Sequence, residues 1–119
     1  MELHASGENY LTAILILEKQ NENVRSIDVA HYLGRSKPSV SRAVSILQGG
    51  GFLKVEKRRF LHLTDSGRQI AEKIYERRRF FAERLIAIGV DPKTAEADAC
   101  QIEHIVSDES FARLKDAVK

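Results

Sequence analysis

Two short amphipathic segments separated by a tight turn constrain the fold of this chain more than any other feature. The first runs from Ser26, which is predicted to cap it, to Leu33, and the second begins after Ser36 and ends at the glycines 49–51. Apolar residues recur at helical spacing in both segments. Gly34 lies in the turn, where a residue without a side chain permits a sharp change of direction. The pattern predicts two helices joined as in a helix-turn-helix.

A basic β-hairpin is predicted directly after these helices. Residues 52–55 and 59–63 have the composition of two short strands around Glu56-Lys57-Arg58, although this turn lacks an Asn-Gly or Asp-Gly pair. Apolar spacing over residues 8–20 predicts a further helix ahead of the first segment. The order helix, short helix, turn, helix, hairpin is that of a winged helix-turn-helix. The sequence therefore predicts a mainly α fold with a small β-hairpin wing.

The second half of the chain is predicted to be helical. A long helix is expected from about residue 65 to Ile88, with Ile88 on its apolar stripe. A second helix is expected over residues 92–106, with Ile105 facing inward, and a third over 108–118. A capping side chain precedes each helix: Thr64 or Asp65, Asp91 and Ser107.

Positive charge is concentrated in the middle of the chain. Residues 35–68 hold eight Lys/Arg against two Asp/Glu, whereas the net charge of the whole chain is only +2. A charge run alone often marks a solvated face, but here it falls on the second helix of the helix-turn-helix and on the wing. Arg42 can pair with a guanine edge, and the wing cations can meet phosphates. The residues expected to contact double-stranded DNA are Arg35, Ser36, Lys37, Pro38, Ser39, Ser41, Arg42, Lys57, Arg58 and Arg59.

Other functional classes have weaker support in the sequence. No apolar run is long enough to span a membrane, residues 1–4 do not resemble a secretory signal, and a single cysteine suits the reducing cytoplasm. No catalytic motif indicates an enzyme or a small organic substrate, because Cys100 and His104 lack an orienting group and oxyanion donors. A winged helix used for protein association stays open as an alternative.

Five segments carry a resemblance to a known family. They are Tyr10-Leu11-Thr12-Ala13-Ile14, Val24-Arg25-Ser26-Ile27-Asp28-Val29-Ala30, Ser36-Lys37-Pro38-Ser39-Val40-Ser41, Leu63-Thr64-Asp65-Ser66-Gly67 and Ala99-Cys100-Gln101-Ile102-Glu103-His104-Ile105-Val106-Ser107-Asp108-Glu109. The chain resembles the iron- and manganese-dependent transcriptional repressors of the diphtheria toxin repressor type, in a two-domain form without the SH3-like domain. The resemblance implies a homodimer with a winged helix-turn-helix domain over residues 1–64 and a helical dimerisation and metal-binding domain over 65–119.

The resemblance also implies a divalent transition metal, iron(II) or manganese(II), with cobalt, nickel and zinc as further possibilities. Cys100, Glu103 and His104 match ligand positions, and their i, i+3, i+4 spacing would place them on one face of a helix. The full set of candidate ligands is Cys100, Glu103, His104, Glu83, Glu96, Asn9 and Glu8.

Three residues depart from the family pattern. Asn9 and Thr12 stand at ligand positions of the first helix, and Arg79 stands where the family has a histidine. Because arginine stays protonated and cannot coordinate a metal, we expect Arg79 to replace one ion as a fixed cation, paired with Glu83 and with Glu96 or Glu103. The alternatives are an ordinary surface arginine, a buried apolar thiol at Cys100, and a regulator that is independent of metal.

Overall fold

The computed structural model describes residues 5–118, and within them the chain forms six α-helices and one two-stranded antiparallel hairpin. The elements are α1 Ala5–Gln20, α2 Ser26–Leu33, α3 Lys37–Gly49, β1 Leu53–Val55, β2 Leu61–Leu63, α4 Asp65–Ala87, α5 Pro92–Ile102 and α6 Asp108–Ala117. The predicted mainly α fold with a hairpin wing is confirmed. The prediction about a secretory signal falls on residues 1–4, which lie outside the described residues. None of the described helices is long and apolar enough to cross a membrane.

The chain divides into two compact units within α4, after Lys73. The first unit contains α1, α2, α3, the hairpin and the start of α4, and the second contains the rest of α4 with α5 and α6. A domain boundary between residues 64 and 65 stays a prediction.

The core of the first unit forms around α1. Leu11 and Ile14 of α1 are almost fully buried, as are Val29 of α2 and Val40 and Leu47 of α3. Burying such side chains removes apolar surface from water and drives the packing of these three helices. The core includes one polar side chain of α1, which is satisfied locally: the Thr12 hydroxyl donates to the Glu8 carbonyl at 2.7 Å.

The turn between α2 and α3 has the predicted capping groups, whereas the start of α2 does not. The Ser36 hydroxyl accepts from the Ser39 backbone N–H at 3.3 Å, and Gly34 ends α2 with a left-handed φ of 65°. The prediction that Ser26 caps α2 is wrong, because Ser26 is already helical and Arg25 is the N-cap. The Asp28 carboxylate accepts from the Arg25 backbone N–H at 2.8 Å and so satisfies the donor of the N-cap residue, whereas a serine cap would accept from an N–H inside the first turn.

The wing is shorter than the sequence predicted. Leu53 pairs with Leu63 and Val55 with Leu61, so that both strands have only three residues. Arg59 was expected to begin the second strand, but it lies in the connecting loop with a left-handed φ of 71°. Its backbone N–H donates to the Glu56 carbonyl at 2.9 Å, which closes a turn that the sequence does not mark with glycine or asparagine.

The second unit confirms the predicted caps. The Asp91 carboxylate accepts from two backbone N–H groups at the start of α5, and the Ser107 hydroxyl accepts from the Ser110 N–H at the start of α6. The Phe111 ring packs against Phe80 and Phe81 of α4, with ring centroids 5.4 and 6.0 Å away.

Two expectations about apolar residues of this unit are wrong. Helix α5 ends at Ile102 rather than near residue 106, so Ile105 lies in the following turn and is 80% exposed. Ile88 follows the end of α4, next to Gly89 with its φ of 100°, and is 79% exposed. Both side chains leave the helical stripe because the helix stops before them.

Candidate functional site

One face of α3 carries the candidate DNA-reading residues. Lys37, Pro38, Ser41 and Arg42 are exposed, while Val40 is buried against the core of the first unit. The structure thus presents small polar and basic side chains to solvent on a helix whose other face is packed against the core. These are the properties of a helix that can enter a major groove.

The start of α3 uses two of its serines internally. The Ser36 hydroxyl donates to the Ser39 hydroxyl at 2.9 Å and also caps the helix. Ser39 is half-buried, whereas Arg35 and Ser36 are exposed at the same helix end. The helix N-terminus and Arg35 together form a positive region suited to a phosphate.

The tip of the wing is basic. Lys57, Arg58 and Arg59 are all exposed in the loop between β1 and β2. The acidic residue of this loop is Glu56, and its Oε2 lies 3.0 Å from Nε2 of His62 in β2. The three cations are therefore exposed at the closed end of the hairpin, while the carboxylate that precedes them is held by His62.

The wing is fixed to the end of α3 by backbone contacts. The Phe52 N–H donates to the Leu47 carbonyl at 3.0 Å, and Gly51 between them has a φ of 81°. At the other side of the hairpin, the Leu61 N–H donates to the Val24 carbonyl at 2.7 Å. The exposed face of α3 and the basic loop therefore belong to one compact unit, and a ligand that follows both can be contacted by both.

The candidate metal ligands of the second unit are arranged around an arginine. Glu103 is fully buried, and its two carboxylate oxygens accept from Nε and Nη2 of Arg78, each at 2.8 Å. The His104 Nε2 lies 3.2 Å from Oε1 of the same carboxylate. The structure thus brings Glu103 and His104 together, and the cation between the helices is a guanidinium.

Arg79 does not have the position that the sequence predicted for it. It pairs with Glu83 one turn along α4, as expected, at 3.5 Å, but both side chains are about 60% exposed. The expected pairing of Arg79 with Glu103 is wrong, because Arg78 forms it instead. One residue corresponds to about 100° of rotation on a helix, which is enough to move a side chain from the surface to an interior contact.

Cys100 lies one turn before Glu103 and is half-buried. Burial is the largest influence on its thiol and raises the pKa above its ordinary value, while the charge of Arg78 lowers the pKa and those of Glu103 and Glu96 raise it. The neutral thiol is therefore the form present at pH 7. A metal would have to release this proton before it could bind the sulfur.

The other candidate ligands are more dispersed. Glu83 and Glu96 are exposed, and Glu8 and Asn9 are half-buried residues of α1 in the first unit. Across residues 5–118, no three side chains among His, Cys, Asp and Glu are placed to hold a metal ion. With both oxygens of Glu103 bound to Arg78, the donor set in this structure does not fit a divalent metal.

Sequence reasoning missed the two arginines that matter most in the second unit. Besides Arg78, Arg77 is only 4% exposed, and its guanidinium donates to the Val106 carbonyl and to the Asp108 carboxylate. It also stacks on the Phe111 ring, with Cζ 5.1 Å from the centroid. The apolar stripe of α4 has a gap at these two positions, which was the available signal.

Comparisons with known proteins agree with this architecture. Residues 2–61 match the family model described as the iron dependent repressor, N-terminal DNA binding domain, and residues 64–119 match the iron dependent repressor, metal binding and dimerisation domain. The chain is 36% identical over 115 residues to the iron-dependent repressor IdeR of Mycobacterium tuberculosis, covering 95% of this chain and 50% of IdeR. It is 34% identical over 120 residues to the diphtheria toxin repressor of Corynebacterium diphtheriae, covering 99% of this chain and 53% of that repressor.

Among solved structures, the metal-dependent transcriptional regulator MtsR superposes with a TM-score of 0.86 at 26% identity, over 94% of this chain and 53% of that chain. The chain thus spans about half the length of the relatives it matches. The resemblance predicted from the sequence segments is confirmed. Since family models match both of its halves, the chain belongs to the iron-dependent repressor family.

Proposed function

We propose that this chain is a sequence-specific transcriptional repressor that binds double-stranded DNA. The observation that carries the proposal is the exposed polar face of α3, with Lys37, Ser41 and Arg42 opposite the buried Val40, in one unit with the basic loop of the wing. Arg42 is assigned to a guanine edge, and the wing cations are assigned to phosphates or the minor groove. The family match supports this assignment.

The proposal includes a homodimer in the cytoplasm. The matched model of the second unit is that of a dimerisation domain, and this unit exposes several large apolar side chains. They are Ile86, Ile88, Ile105, Leu114 and Val118. A two-fold dimer would present two copies of α3 to half-sites about 34 Å apart. The proposed role is regulatory, without catalysis, an organic substrate or a membrane partner.

Two effector classes have support. The iron-dependent family supports iron(II) or manganese(II), with Cys100, Glu103, His104 and the further candidates named above as ligands. The pairing of Glu103 with Arg78 favours a second candidate, a winged-helix repressor that folds without a bound metal.

Replacing Arg42 with alanine tests the DNA assignment. We expect this change to weaken binding to the DNA upstream of the chain's own gene by about 1–3 kcal/mol and to reduce discrimination against unrelated DNA. Fluorescence anisotropy titrations at two salt concentrations measure both effects. Lys93→Ala, which removes one exposed charge from α5, is the matched control and should leave the affinity unchanged. Equal loss in both variants, or no salt-sensitive binding at all, would favour the protein-association alternative.

Replacing Arg59 with glycine separates the charge of the wing from its stability. A left-handed φ costs a non-glycine residue more than it costs glycine, so the free energy of unfolding should stay within about 0.5 kcal/mol of the wild type. The lost cation should still weaken DNA binding and reduce the salt slope by about 1.

Arg58→Gly is the matched comparison for Arg59→Gly, because it removes the same charge from the same loop at a position without a positive φ. It should weaken DNA binding similarly but lower the free energy of unfolding by about 0.5–1 kcal/mol. Urea denaturation and the same DNA titration provide the two readouts. A larger stability loss at Arg59 than at Arg58 would contradict this account of the loop.

A further inference from the structure

We propose that Arg78 is the resident cation of the buried Glu103 carboxylate and takes the place of a divalent metal there. The second unit is then ordered around this centre without metal, and Glu103 becomes available to a metal only when Arg78 is removed. This inference does not depend on the DNA-binding proposal, because it concerns a contact inside the second unit.

The geometry is that of a two-bond arginine–carboxylate pair. Nε donates to Oε2 and Nη2 donates to Oε1, both at 2.8 Å. Such parallel bonds use the planar fork of arginine and are among the strongest hydrogen bonds in proteins. Each oxygen through which Glu103 could bind a metal therefore already accepts a hydrogen bond from Arg78.

Burial makes this pairing obligatory. The Glu103 side chain is 0% exposed and the Arg78 side chain is 14% exposed. A buried carboxylate without a cation is strongly disfavoured, and an arginine side chain keeps its positive charge in proteins. A divalent ion entering beside Arg78 would break two hydrogen bonds and meet a fixed positive charge, so the arginine both satisfies Glu103 and opposes the metal.

The pair also joins two helices. Arg78 belongs to α4, and Glu103 is the C-cap of α5, immediately before His104. In the family that this chain belongs to, this region is the metal-binding domain. The contact that would otherwise require an ion is here made by two side chains of the chain itself.

Arg78→Gln is the decisive variant, and Arg79→Gln is its matched control. Arg79 is the next residue of α4; it is exposed, pairs with Glu83 at 3.5 Å and lies over the Tyr75 ring at 5.8 Å. In chelator, we expect Arg78→Gln to lower the Tm by about 10 °C or more and Arg79→Gln to change it by less than about 2 °C. Addition of Mn²⁺ or Co²⁺ should raise the Tm of Arg78→Gln, and calorimetric titration should show affinity about a hundredfold above that of the wild type.

Glu103→Gln, made in the wild type and in Arg78→Gln, tests whether the Glu103 carboxylate is the group that binds the metal. In the double variant Arg78→Gln/Glu103→Gln, the gained metal affinity should disappear and part of the lost Tm should return, since no buried charge is left unpaired. The wild type alone gives an independent test if Arg78→Gln fails to fold: its Tm should be the same in chelator and in Mn²⁺ or Co²⁺.

Two results would overturn the proposal. One is wild-type metal binding that raises the Tm and is abolished by Glu103→Gln, because the carboxylate would then bind metal despite Arg78. The other is an Arg78→Gln protein that folds but gains no metal affinity.

Discussion

Arg77→Met is expected to lower the free energy of unfolding of the second unit by about 1–3 kcal/mol. The guanidinium is buried against Phe111 and donates to the Val106 carbonyl and the Asp108 carboxylate, so its removal leaves a carbonyl without that donor and the ring with Lys115 as its remaining cation. Leaving a buried carbonyl without its donor costs about 1–3 kcal/mol, whereas the Asp108 side chain adds little because it is 74% exposed and can be solvated.

Urea denaturation followed by circular dichroism measures this loss. Methionine keeps much of the apolar stem, so the difference reports the guanidinium rather than a cavity. Arg79→Met removes an exposed arginine from the same helix and should change the free energy of unfolding by less than about 0.5 kcal/mol. Equal losses in the two variants would show that the buried contacts of Arg77 add nothing to stability.

Arg77 also has a consequence for the proposed dimer. The two groups that it binds, on Val106 and Asp108, flank Ser107, which caps α6. A loosened turn would free the start of α6. This helix carries the exposed Leu114, which belongs to the proposed dimer surface. Sedimentation of Arg77→Met should therefore show more monomer than Arg79→Met at the same concentration.

The arginine run 77–79 shows how far the sequence could lead. The family pattern directed attention to Arg79, but the apolar stripe of α4 includes Ile74 and Phe81, and helical spacing of three or four from either one points to residues 77 and 78. The structure has these two arginines inside and Arg79 outside. Periodicity was thus a better guide than position matching, although it could not name the acceptors on a distant segment.

The helix caps and the basic wing were predictable because their signals are local. Ser36, Asp91 and Ser107 each act on a backbone group within a few residues, and propensity alone identifies such sites. The end of α5 was not predictable, because no glycine or proline marks it and the chain continues in tight turns, with the Ile105 N–H donating to the Ile102 carbonyl at 3.1 Å.

Gly67→Ala is expected to lower the free energy of unfolding of the first unit by about 3 kcal/mol or more. A Cβ at this position would overlap the Phe52 carbonyl oxygen and lie 3.0 Å from its carbonyl carbon. The obstacle is backbone, so the start of α4 or the base of the wing must shift to admit a methyl group. The same carbonyl accepts from the Thr64 N–H at 3.2 Å, and the Thr64 hydroxyl donates to the Gly51 carbonyl at 2.7 Å, so a shift would break further bonds.

Gly49→Ala is the matched control, because a Cβ at Gly49 meets nothing within 4 Å and this glycine has no positive φ. Alanine is the better helix former, so Gly49→Ala should leave the free energy of unfolding unchanged or raise it by up to about 1 kcal/mol. If both variants are equally stable, the close approach of α4 to the wing base does not constrain the fold. Phe52 follows directly on the glycines that end α3, so its contact with Gly67 can set the position of the wing relative to α3. In that case, Gly67→Ala protein that folds at low temperature should have lost DNA affinity, while Gly49→Ala should keep its stability.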